Sequence, residues 1–128
     1  MKFWTRWRAK RALLHKYEFE AALTELNASL SLDRAKEKRQ LQARLNNDAD
    51  TIEQNIAKEE ATPEYQKLEG QEKYEADREK NEAKKIVTDY RTQAKALDSE
   101  IENHESTAKL LQRQAAGNRE TAERLRRL

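Results

Sequence analysis

With 128 residues, of which 39% are charged and 36% hydrophobic, the chain has too few apolar side chains to fill a wide core. The absence of cysteine excludes disulfides and thiolate metal sites, and two glycines exclude a glycine-rich phosphate loop. Long helices that bury a narrow seam fit this balance, with disorder as the competitor. The periodicity of the second half decides for helix.

Residues 1–17 carry six Lys or Arg, one His and no acid. On a helical projection Phe3, Trp7 and Leu14 align, with Trp4 and Tyr17 beside them. Lys2, Arg6 and Lys16 fall toward the other side, and Arg11 lies within the apolar sector. Tryptophan with cations on one helix suits an anionic membrane surface or a stacked, phosphate-bearing nucleic acid. In the alternative reading both indoles and Phe3 pack on alanines of a second arm. No apolar run in this region is long enough for a signal peptide or a membrane span, so the expected location is cytoplasmic, with peripheral attachment to a membrane as a variant. The first segment is taken as 1–20 and the first long helix as 21–61.

From Phe19 onward, Phe19, Leu30, Leu41 and Ile52 recur every eleven residues, with Leu23, Leu45 and Ile56 as a second row interrupted at Arg34. That repeat predicts a nearly straight or slightly right-handed first arm. Asn46, Asp48 and Asp50 resemble the start of a calcium loop. The turn glycine and the closing glutamate are replaced by Thr51 and Ala57, so these carboxylates are read as the exposed face of a helix.

Thr62-Pro63-Glu64 is the clearest punctuation: a capping hydroxyl, a proline suited to the first helical position, and an acid at the positive helix end. Folding about Pro63 predicts a turn and irregular tip over 62–75 and a second long helix over 76–128. It sets Leu14 against Leu111 and Leu23 against Ile101, and brings Gly117 opposite Trp7 or Arg8.

The strongest pattern in the chain follows. Ala83, Val87, Tyr90, Ala94, Leu97, Ile101, His104, Ala108, Leu111, Ala115, Asn118, Ala122 and Leu125 alternate steps of four and three, all apolar except His104 and Asn118. This is a coiled-coil seam, and its alanine row expects a close neighbour. The fold class is therefore all-α, a long two-helix antiparallel coiled-coil hairpin. His104 and Asn118 are read as seam residues that fix register.

No catalytic constellation, cofactor fingerprint or metal-ligand cluster is legible, so enzymatic activity is not expected. Charge is unevenly distributed: residues 1–44 hold eleven bases and five acids (+6), 45–82 five and twelve (−7), and 83–128 ten and seven (+3). A hairpin then has a basic, aromatic base and an acidic tip. The expected function is a coiled-coil scaffold, adaptor or stalk subunit that docks on a protein partner. The partner-binding residues are Phe3, Trp4, Arg6, Trp7, Arg8, Lys10 and Arg11, joined by Arg124, Arg126 and Arg127. An anionic membrane surface, nucleic acid and self-association are the alternatives.

Overall fold

The computed structural model describes residues 2–128; Met1 and the side chain of Lys2, which the projection placed on the polar side, lie outside the described residues. The order is α1 (Lys2–Glu60), α2 (Pro63–Gln66) and α3 (Gly70–Arg127), with no strand among the described residues. Helices α1 and α3 pack against each other as a helical hairpin. α1 runs unbroken from Lys2 to Glu60, so the expected boundary between residues 20 and 21 falls inside one helix.

The chain divides into two compact units. The first comprises Met1–Lys36 and Ile101–Leu128. Its buried positions on α1 are Ala21, Ala28, Ser31 and Ala35, and on α3 Ile101, Ala108, Ala115 and Ala122. Glu25 takes a forked bond from Arg119, with Nη2 at 2.7 Å from Oε2, and Glu18 pairs with Arg126. These pairs run in opposite directions along the two helices and put one alanine row level with the other. Facing alanines allow helix axes to approach to about 8 Å.

This arrangement corrects two expectations. The buried row of α1 keeps sevens, not elevens: Phe19, Leu23 and Leu30 from the expected rows are 68%, 46% and 46% exposed. A tight pair cannot hold two different periods, and alanine, not leucine, fits the close approach. The register differs as well. Leu14 lies beside Arg126, not Leu111, and Leu23 beside Gln114, Gly117, Asn118 and Thr121, not Ile101. The displacement is roughly four helical turns.

The second unit, Glu37–Glu100, contains the reason. Thr62 caps α2 through its hydroxyl, which accepts from the Tyr65 amide, and Pro63 occupies the first turn, as expected. That turn does not reverse the chain. Gly70, with φ of 60°, completes the reversal and opens α3. Shifting the pivot by about two turns shifts facing pairs by about four. α3 also begins before 76, because Gln71 to Glu75 are helix formers that extend it with exposed side chains.

Between the arms of this unit lie Ala49, Val87, Ala94 and Leu97, all buried, with Leu45, Ile52 and Ile56 half-buried. Leu41, on the eleven-residue row, is 42% exposed. Gln42 reaches across the seam and donates to the Ala94 carbonyl at 2.7 Å and to Asp98 at 2.6 Å. Arg91 bridges Asp50 at 2.8 Å and Glu53 at 3.0 Å, so Asp50 is engaged by a guanidinium on the helix surface. At the turn the Tyr65 hydroxyl donates to Asp77 at 2.5 Å and accepts from Lys80 at 2.9 Å, and Lys80 also lies 3.7 Å from Glu60. The Tyr65 hydroxyl holds the Asp77 carboxyl below the usual aspartate range, helped by the neighbouring Lys80 charge. The same hydroxyl, with Glu60 and Asp77, pushes Lys80 up.

Candidate docking site

The basic aromatic end is built from the first turns of α1. Phe3, Trp7, Lys10, Leu14, Tyr17 and Ala21 follow steps of four and three, so they continue the face that packs on α3. Glu18 already pairs with Arg126, in the last turn of α3, so the levels of Phe3 and Trp7 have no facing α3 turn. Phe3, Trp4 and Trp7 are 74%, 62% and 43% exposed.

The three rings form a chain of edge-to-face contacts. Phe3 and Trp4 centroids lie 6.2 Å apart at 79°, and Trp4 and Trp7 lie 6.1 Å apart at 81°. The Arg11 guanidinium sits 5.2 Å from the Trp7 ring centroid, which explains a cation inside the apolar sector. Trp7, Lys10, Arg11, Leu14 and Arg126 enclose a groove of about 290 Å³. Packing of the indoles under Gly117 does not occur: Gly117 lies by Leu23 and Thr24, and a side chain added to it would meet open space.

The charged residues separate into two sets. Arg6, Arg8 and Lys10 have no carboxylate partner among the described residues, and residues 3–17 supply none. The α3 arginines are engaged. Arg124 pairs with Glu120 at 2.7 Å, Arg127 with Glu123 at 3.6 Å, and Arg126 with Glu18 and with Glu123 at 3.7 Å. Of the three, Arg126 reaches the aromatic groove. The nearby Arg119 guanidinium hydrogen-bonds Glu25 and holds its carboxyl below the usual glutamate range.

A second exposed surface was not separated from the seam by sequence reasoning. Phe19, Leu23, Leu26 and Leu30, spaced four, three and four, form a largely exposed stripe on α1, with Leu26 56% exposed and Leu23 at its edge bordering α3. Their own spacing was the available signal; the eleven-residue rows obscured it.

No group of three or more His, Asp or Glu side chains capable of holding a metal occurs among the described residues. No helix is long and apolar enough to cross a membrane. No protein family, curated protein or solved structure matches the chain. Any reading of function therefore rests on the surface itself.

Proposed function

We propose that the protein is a non-enzymatic coiled-coil scaffold or adaptor that docks on a protein partner through the basic aromatic start of α1. The observation that supports this reading is the exposure of Phe3, Trp4 and Trp7 on a helix face that α3 does not cover, next to Arg6, Arg8 and Lys10 without counter-charges. Large rigid aromatics beside arginine are the side chains that anchor protein interfaces. A partner helix laid on Phe3, Trp7 and Leu14 extends the seam already made with α3, and acids on that helix meet the free cations.

The test is retention of partners on the immobilised chain, compared with Trp4→Ala combined with Trp7→Ala. The variant is expected to lose a protein that the parent retains, to keep its helical circular dichroism, and to melt within a degree or two of the parent. Raising salt weakens the retained complex, because exposed charges are screened over ~10 Å at 0.1 M. A lower melting temperature with retention intact removes this surface from the functional account. Retention that nuclease abolishes, or that anionic vesicles reproduce without protein, transfers the reading to nucleic acid or to a membrane surface.

A further inference from the structure

The outer stripe of α1 is distinct from the docking site. Phe19, Leu23, Leu26 and Leu30 are 68%, 46%, 56% and 46% exposed, although side chains of this size are usually buried. Together they present on the order of 400 Å² of apolar surface, the size of the largest apolar patch on a typical monomer, which is often functional. Ala22, Asn27 and Ser29, which flank the stripe, are exposed and uncharged. A helix can therefore approach closely along it.

The ends of the stripe indicate what covers it. One step before Phe19 on the same face stands Lys16, and one step after Leu30 stands Asp33; both are exposed. Lys16 Nζ lies 6.0 Å from the Tyr17 ring, and neither residue has an ion-pair partner among the described residues. The stripe thus begins with a free cation and ends with a free anion. We infer that it is a self-pairing seam, by which α1 of one copy packs antiparallel on α1 of a second copy of this chain.

Antiparallel pairing matches the pattern layer by layer. Phe19 of one copy meets Leu30 of the other, Leu23 meets Leu26, and the outermost layers set Lys16 of one copy against Asp33 of the other at both ends. Such a contact is two-fold and self-complementary, the commonest form of homodimer. Parallel pairing instead opposes Lys16 to Lys16 and Asp33 to Asp33. The acid at one end also makes the stripe a poor match for an anionic lipid surface. Two copies together remove roughly 800 Å² from the two stripes, below the ~1,200 Å² of a stable interface, so the dimer belongs to the weak, concentration-dependent class.

Sedimentation velocity of the full chain from micromolar to about millimolar concentration tests this. A reversible dimer is expected, and Leu23→Glu with Leu26→Glu abolishes it while helicity is kept, since both side chains are already exposed. Lys16→Asp alone and Asp33→Lys alone each weaken the dimer at least about 10-fold, because like charges then face each other at both ends. An equimolar mixture of those two variants recovers a heterodimer, which a purely structural role does not produce; parallel pairing is set apart by the single variants, since it already opposes like charges in the parent and neither substitution then weakens it. A chain that stays monomeric throughout, or a mixture that fails to pair, overturns the inference. So does a monomer whose stripe variants lose only vesicle binding.

Discussion

The two glycines show how similar residues take opposite roles. Gly70 adopts φ of 60°, a conformation that a side chain disfavours, and it makes the turn that sets the register of the hairpin. Gly117 lies inside α3 with ordinary helical backbone, and a methyl group there meets nothing within 4 Å. Gly70→Ala is therefore expected to destabilise the chain by about 1 kcal/mol, whereas Gly117→Ala stabilises it by up to ~1 kcal/mol. Urea unfolding of the two variants measures both. Loss of stability at Gly117 would restore a packing role for the missing side chain.

Both arms were legible as long helices, but only in α3 was the packed face legible as well. In α3 the buried positions, Val87, Ala94, Leu97, Ile101, Ala108, Ala115 and Ala122, all belong to the heptad seam, so the pattern and the packed face coincide. In α1 the packed face is Ala21, Thr24, Ala28, Ser31, Ala35, Lys38 and Gln42, residues that hydrophobicity assigns to the surface. Leu26, Leu30 and Leu41 are exposed, whereas Leu45 is half-buried between the arms and Leu23 borders α3. Thr62 and Pro63 could be read because their chemistry is local. The pivot could not, because Gly70 acts through one backbone angle, and the exposure of the tryptophans followed from that pivot. The aromatic and cationic residues of the docking site were legible from composition, but not the engagement of Arg124, Arg126 and Arg127 by carboxylates. Gln42 carries a further consequence for register. Its two cross-helix bonds hold one layer of the seam in place. Gln42→Ala is expected to cost ~1–2 kcal/mol in urea unfolding, because the carbonyl and carboxylate lose their donor.

For the molecule as a whole, stability against pH follows from the carboxylates and the lysine that hold the arms and the turn. Glu25, bonded by Arg119, and Asp77, bonded by Tyr65, have depressed pKa values in the folded chain. Their contribution is complete above the unfolded carboxylate range of ~4 and is lost as pH falls through the folded values. Lys80 is shifted up, so its contribution is complete below ~10 and is lost as pH rises through the folded value. From these groups the melting temperature should be level between about pH 5 and pH 10 and decline on both sides. Glu25→Gln should make the acid limb shallower, leaving the share held by Asp77, and leave the alkaline limb unchanged. A shared loss on both limbs would mean that the turn and the arms do not titrate through separate groups.

The alanine seam also has a calorimetric consequence. No large side chain is fully buried among the described residues, and most buried positions are methyl groups. Unfolding then newly exposes little apolar surface, and it is apolar hydration that raises the heat capacity of an unfolded chain. Scanning calorimetry should give a heat-capacity increment per residue below the usual ~12–15 cal/mol/K. The stability curve is correspondingly shallow: the hairpin loses strength slowly on warming toward its midpoint, and cold weakens it less than it weakens a protein built around leucine and phenylalanine.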